Sequence, residues 1–543
     1  MSNEERGMGN GETHCSLPIT RYLPTVLIIL AYLLTGILYA VNTPAWQVPD
    51  EPAHYNYIKY LAENHRFPVL QMGDYPHHYL EEIKARQFPP EMSIEPLRYE
   101  FHQPPLYYLL AAVVYKLFAA RLLPLRLLSV LLSCCLLWVA YHIVKEIFPG
   151  NEALALGTTA FVAFVPMHVA MTAAVNNDTL AELILALILW MLVRYVKSVR
   201  WSDGRMVGEI QSSKFKAQRS KVEEGGGTEG RGRLIGLGVL MGLGLLTKIT
   251  TLVALPLTLV AIIAQGRWLE QNRKSDFIRH YLLPAICYLL PTLLLILPWF
   301  VRNASVYGGL DIWGLRRHDA IVVGQLRTAE RLAQLGAAGL AREFILTTFQ
   351  SFWARFGWMG ILVDQRIYLI LALLCVVVGL GLVLLATNYT NPSTGLRTGF
   401  TNLSPQKRMA LGLLALSALL TLLSYLWYNL KFVQHQGRYL FPALVPLGLA
   451  FALGLREVLA RDNAKAMVFL FLAGVLLLAA KGLVAGDFNK LSVLLLGGAA
   501  AAFGIKALLP EKYDDLVFAL PYLGLWGLDL ICLFKFIVPY FQS

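Results

Sequence analysis

Charge is scarce in this chain. Only 15% of its 543 residues are Asp, Glu, Lys or Arg, where soluble domains carry about 25%. Cysteine is scarce too, and no loop holds a pair. Cys134, Cys135, Cys287, Cys375 and Cys532 lie in apolar segments, and Cys15 lies in the N-terminal tail. Neither a disulfide framework nor a metal–thiolate site is implied. No small-residue cleavage site follows the first apolar run, so that run reads as a retained span and not as a removed signal peptide. There is also no clear internal repeat of the kind that marks many transporters.

What the chain has in abundance is apolar sequence, 56% of its residues. Runs of roughly 17–25 apolar residues recur from Tyr22 almost to the end, each long enough to cross about 30 Å of hydrocarbon as a helix. The fold class expected is an all-α polytopic membrane protein with about thirteen spans. They fall near 22–42, 125–145, 152–174, 179–197, 234–250, 251–265, 281–301, 367–387, 410–428, 439–456, 466–482, 491–508 and 516–538. The stretch 104–120 opens on Pro104-Pro105 and contains Lys116. It reads as re-entrant or interfacial.

The formal charge of +12 would suggest a nucleic-acid partner in a soluble protein. Here it is read instead as positive loops retained at the cytoplasmic face. The link 198–233 carries eight Lys or Arg and 266–280 carries four; 388–409 ends in "QKRM", and 457–465 contains Arg461 and Lys465. With the N-terminal tail 1–21 inside, all four links are cytoplasmic. Two long segments, 43–124 and 302–366, then lie outside.

This parity collects the unusual polar residues on one face. Asp50 and Glu51 follow the first span in "WQVPDEPAHYNY". His102 and Gln103 close the same outer loop in "FHQPPLYY". Asp178 sits in the outer turn "NND", Lys248 in the outer turn "LLTKITTL", and Arg302 where "PWFVRN" leaves the seventh span. His435, Arg438 and Tyr439 lie in "HQGRYLFP". Each has a plainer use: Arg302 as an interfacial anchor, Lys248 as a snorkelling side chain, Asp178 as a helix cap. "DEP" could merely start the helix "AHYNYIKYLAENHR", with Pro52 in its first turn and carboxylates favoured there by the helix dipole. Yet a carboxylate can act as general base on a hydroxyl, and Arg or Lys can hold a departing phosphate. Together these parts suit transfer of a group from a lipid phosphate to an acceptor on the outer face.

The ordered set "PDEPAHYNYIKYLAE", "HQPPLYYLL", "NNDTLAE", "PWFVRN…YGG" and "QGRYLFPALVPL" resembles the GT-C fold of membrane glycosyltransferases. Within it, the likeness is to bacterial members of the superfamily of dolichyl-phosphate-mannose protein mannosyltransferases and aminoarabinose lipid A transferases. The resemblance runs from about residue 20 to 460. It implies a GT-C-like catalytic core over 22–460 with amphipathic helices in the first extracytoplasmic loop; the C-terminal spans over 461–543 lie beyond the resemblance. It also implies a polyprenyl-phosphate sugar donor, a lipid, glycan or protein acceptor at the extracytoplasmic face of the cell membrane, and inversion at the anomeric carbon. Asp50 would be the base or would position the acceptor, with Glu51 completing the catalytic Asp-Glu pair. Arg438 would bind the donor phosphate, with Lys248 and Arg302 as second choices. His102, Gln103, Asp178, His435 and Tyr439 complete the substrate-binding set. Where aminoarabinose transferases carry a Glu-Lys pair, this chain has His102-Gln103. The first outer loop also lacks the Asp-x-Asp with which oligosaccharyltransferases bind metal. No cofactor is expected, although a divalent metal stays possible. The cytoplasmic links are too short to fold a nucleotide-sugar domain. The alternatives are a transporter or flippase of lipid-linked substrates and a ligase of whole glycans.

Overall fold

The computed structural model describes residues 18–198, 230–272, 276–387, 403–486 and 489–542. The N-terminal tail, most of the basic link 198–233 and much of 388–409 therefore lie outside the described residues. Helix α1 (Pro18–Asn42) stops just before Thr43-Pro44, as expected where a proline disfavours helical backbone in the residue before it. The first long loop is built from α2 (Glu51–Asn64), α3 (His77–Ala85), a single turn at Tyr99–His102 and α4 (Leu106–Leu117). A bundle follows: α5 (Leu122–Ile147), α6 (Glu152–Ala163), α7 (Pro166–Thr172), α8 (Asp178–Ser198), α9 (230–245) and α10 (Ala254–Asn272). Next comes α11 (Leu283–Tyr307). The second long loop carries α12 (Leu315–Ile321), α13 (Thr328–Trp353) and a hairpin pairing Arg355 with Leu362 and Phe356 with Ile361. The chain ends in α14 (Gln365–Thr387), α15 (Pro405–Asn429), α16 (Leu444–Val458), α17 (Arg461–Ala485), α18 (Lys490–Leu508) and α19 (Asp514–Ile531).

Eleven helices among the described residues are long and apolar enough to cross a membrane, or twelve if one bent pair counts as a span. The expected thirteen differ from this count at two places. The expected span 152–174 is broken: α6 and α7 meet at 63°. Pro166 lacks an N–H and drives Val165 to extended backbone (φ −81°, ψ 113°), which ends the first helix. The expected span 234–250 is α9, which ends in a turn after residue 245 and at residue 230 adjoins residues outside the described set. The doubtful stretch 104–120 contains α4, an apolar helix of 12 residues, too short to span.

The core gathers around α5, α6, α8 and α16, with α1 and α14 against it. Helices α14 and α16 cross at Gly381 and Gly454, where an added Cβ on Gly381 would meet the Gly454 carbonyl oxygen at 1.9 Å. Small residues permit such close crossings between apolar helices. By contrast α17 and α18 pack mainly on each other and leave most of their surface outward. Helix α19 returns to the core. Its Trp526 indole donates to Thr35 Oγ1 at 3.0 Å, and Tyr39 Oη donates to the Asp529 carbonyl at 2.8 Å.

Candidate active site

The two acidic neighbours that open α2 face different ways. Asp50 occupies the left-handed backbone region (φ 69°, ψ −8°), unusual for a residue with a side chain and a conformation that clusters at functional sites. It precedes the helix, yet its carboxylate makes no cap hydrogen bond. Instead Oδ2 accepts from Arg438 Nη2 at 2.6 Å and Oδ1 accepts from Tyr99 Oη at 3.0 Å. Burial pushes the Asp50 carboxyl up, but Arg438, His54 and Tyr99 together outweigh it and hold the group below the ordinary 3.8. Asp50 is 24% exposed and Arg438 7%.

Glu51 is wholly buried. It accepts from Arg126 Nε at 2.7 Å and Nη2 at 2.6 Å, and from the backbone N–H groups of Trp46 (3.0 Å) and Val175 (3.2 Å). Arg126, on α5, spends its remaining donors on the carbonyls of Ala40, Thr43 and Pro44. All five of its N–H groups are thus satisfied. This knot ties the end of α1, the start of α2, α5 and the turn before α8. Glu51, expected beside Asp50 as a reacting carboxylate, lies in this buried knot. The partner that sequence reading missed is Arg126, and the available signal was an arginine inside an apolar run.

Arg438 is delivered by the turn between α15 and α16. Gly437 approaches α13 so closely that an added Cβ would meet the Phe352 nitrogen at 2.3 Å, and its own N–H donates to Ser351 Oγ at 2.7 Å. The guanidinium that follows lies 5.4 Å from the centre of the Tyr439 ring. Its Nε is buried with no protein partner.

Asp50, Arg438 and Tyr439 line one cavity of about 440 Å³, together with residues from three separated stretches. Tyr75, His77, Tyr99 and Glu100 come from the first long loop; His318, Gln325 and Trp358 come from the second. Tyr428, Gln434 and Gln436 come from the end of α15 and the turn after it. Sites of this size suit a small ligand. Most of these residues escaped sequence reading, because a loop tyrosine or glutamine carries no pattern of its own. The Trp358 indole N–H donates to the Trp46 carbonyl at 2.9 Å.

The remaining expected residues stand behind or outside this cavity. His102 is buried beneath it, its ring centre 4.6 Å from that of His318. Burial and the neighbouring His318 push the His102 imidazole well below its ordinary 6.5, so it is neutral. Gln103 contributes its carbonyl to Tyr57 Oη at 3.1 Å. Asp178 and Lys248 pair at 2.6 Å, joining two outer turns, while Asn176 Oδ1 receives the Asp178 N–H at 2.8 Å. Their charges reach the buried His54, which is lowered chiefly by burial and also feels Glu100 and Asp50. Arg302 does not enter the cavity. It bonds to the Pro68 carbonyl and lies over Trp299 at 4.8 Å, pinning the first loop. His435 is buried edge-on against Phe344, 5.2 Å between ring centres. Among the described residues, no group of three or more His, Cys, Asp or Glu is disposed to hold a metal ion.

The segment that carries "HQPPLYYLL" and "NNDTLAE" decides the comparison with known families. Residues 102–210 match the dolichyl-phosphate-mannose-protein mannosyltransferase family. The resemblance read in the sequence is borne out over this stretch. No curated protein matches the chain. Among solved structures, ArnT from Cupriavidus metallidurans is similar in its apo state, with 14% identity, 95% of this chain and 76% of that one covered, and a TM-score of 0.49. The same protein bound to undecaprenyl phosphate gives a TM-score of 0.47, with 14% identity over 95% of this chain and 77% of that one. The Archaeoglobus fulgidus oligosaccharyltransferase shares 14% identity with a TM-score of 0.45, covering 93% of this chain and 57% of its own.

Proposed function

We propose that this protein is an inverting glycosyltransferase that moves a sugar from a polyprenyl-phosphate donor to an acceptor hydroxyl at the extracytoplasmic face of the cell membrane. The observation that carries the reading is the 2.6 Å contact between Asp50 and Arg438, 388 positions apart, in the wall of a cavity. The mannosyltransferase family match supports a lipid-phosphate donor. The positive links assigned to the opposite side support the outer face.

In the resting state Arg438 neutralises Asp50. A donor phosphate diester, singly charged like the carboxylate, competes for the guanidinium, whose unpartnered Nε–H is free to donate to it in a two-point contact. Asp50 Oδ2 is then released, and the Arg438 contact that held its proton affinity down weakens. The acceptor oxygen attacks the anomeric carbon from the face opposite the phosphate. Its bond to carbon forms as the carbon–oxygen bond to phosphate breaks. The acceptor proton passes to Asp50, and the bonding electron pair leaves with the polyprenyl phosphate, held by Arg438. Tyr99 keeps Asp50 aimed through Oδ1. Glu51 acts one step removed, by fixing the loop on which Asp50 stands.

Arg438→Ala should lower kcat/KM for a polyprenyl-phosphate sugar about 10- to 100-fold, the scale of a lost charge-assisted hydrogen bond. Arg438→Lys should recover only part, because a point charge cannot fork onto two oxygens. Donor-concentration dependence in proteoliposomes reads this out. Unchanged donor kinetics in the alanine variant would remove Arg438 from the phosphate site.

A further inference from the structure

The cavity wall holds three hydrogen-bond acceptors that the protein leaves without partners. Glu100 Oε2, Gln325 Oε1 and Gln436 Oε1 are all buried and unbonded, and all three residues line the cavity. Buried polar atoms in folded proteins nearly always have partners, and three unpartnered acceptors on the residues of one cavity suit a ligand that brings donors. The orientation of Gln436 is fixed by its own amide, whose Nε2 donates to Gln434 Oε1 at 2.8 Å. Glu100 sits beside Tyr99, the residue that holds Asp50, so the array borders the reacting centre.

The charges of the wall narrow the ligand further. Of the lining carboxylates, Asp50 is paired with Arg438, and Glu81 with Lys84 at 2.6 Å. The Lys84 ammonium also lies 5.3 Å from the centre of the Trp358 ring. Glu100 takes part in no ion pair among the described residues. A ligand hydroxyl satisfies it by donating a hydrogen bond. A ligand carboxylate would meet like charge, with Lys84 engaged by Glu81 and Arg438 by the donor phosphate, an arrangement that discriminates by repulsion.

Resting on the transferase reading above, we propose that Glu100, Gln325 and Gln436 read the hydrogen-bond donors of the sugar being transferred, hydroxyls above all, so that the site rejects a ring bearing a carboxylate. The test uses the full chain in proteoliposomes. Its probes are short-chain polyprenyl phosphates carrying a panel of neutral hexoses and pentoses, their singly deoxygenated forms and the matching hexuronic acids. The wild type should use the best neutral donor at least roughly 100-fold better than its uronic acid. One deoxy donor should lose about 10- to 100-fold in the wild type and nothing further in Glu100→Ala. Glu100→Gln, nearly the same shape, should narrow the neutral-over-acidic preference at least roughly 10-fold with an unchanged Tm, which decides the matter should the alanine variant fold poorly. Equal use of the acidic donor by the wild type would overturn the proposal, as would the same deoxy profile in the wild type and both Glu100 variants. If no donor in the panel is transferred, the glycosyltransferase reading falls with it. If transfer occurs but ignores Glu100, only the present proposal falls.

Discussion

Asp50→Asn is expected to lower kcat/KM for sugar transfer by about 10²- to 10⁴-fold, the range associated with removing a general base, while the protein inserts and folds normally. The asparagine keeps the size of the side chain and can still accept from Tyr99, but it cannot take a proton from the acceptor. Asp50 is 24% exposed and reached by solvent, which limits the cost of removing its charge, while the buried Arg438 loses its counter-ion. The pH dependence carries a second signature. Because the folded carboxyl titrates below the ordinary 3.8, Asp50 is ionised throughout the neutral range. Its contribution to stability is therefore fully present above about pH 4 and is lost only as pH falls through the depressed folded value. In the free enzyme, kcat/KM should show no acid limb from this group between about pH 5 and 8. Near-wild-type turnover in the asparagine variant would remove Asp50 from the chemistry.

The opposite outcome is expected one residue on. Glu51→Gln or Arg126→Met should each destabilise the fold by about 3–5 kcal/mol, the cost of leaving one member of a buried ion pair alone. Glu51 is wholly buried and accepts four hydrogen bonds, and Arg126 donates five. Activity should fall in step with the amount of folded protein, and the surviving fraction should keep the wild-type KM. The double variant should cost clearly less than the sum of the two single changes, because the two residues act as a unit. It should not return to wild-type stability, since the carbonyls of Ala40, Thr43 and Pro44 lose the Arg126 donors and the single amide oxygen of glutamine cannot serve the N–H groups of both Trp46 and Val175. Thermal unfolding in detergent, followed beside transfer activity, separates the cases. A stable but inactive Glu51→Gln protein would mean that Glu51 takes part in the reaction directly.

These two neighbours show how far the sequence could be read. The apolar runs, the side bias of the loop charges and the order of the motifs depend on local composition, and they led to the helices and to the meeting of Asp50 with Arg438. The difference between Asp50 and Glu51 depends on a left-handed backbone angle and on Arg126, a residue 75 positions downstream of Glu51. Adjacent letters carry no record of either. The break at Pro166 was legible in principle, as an X-Pro step inside an apolar run, but continuous hydropathy masked it. Arg302 had the right charge and the right side, yet its cation is spent on the first loop. Glu100, Gln325 and Gln436 matter because of which atoms remain unbonded, and that emerges only after every neighbour is in place.

The most direct test of the central claim is transfer measured in sealed vesicles of known orientation, with a polyprenyl-phosphate sugar supplied in the leaflet that bears the Asp50–Arg438 cavity. The account predicts that glycosylated acceptor and free polyprenyl phosphate form in equal amounts, that the product has inverted anomeric configuration, and that Asp50→Asn stops both. Product with retained configuration, or free polyprenyl phosphate forming undiminished in the Asp50→Asn protein, would contradict it.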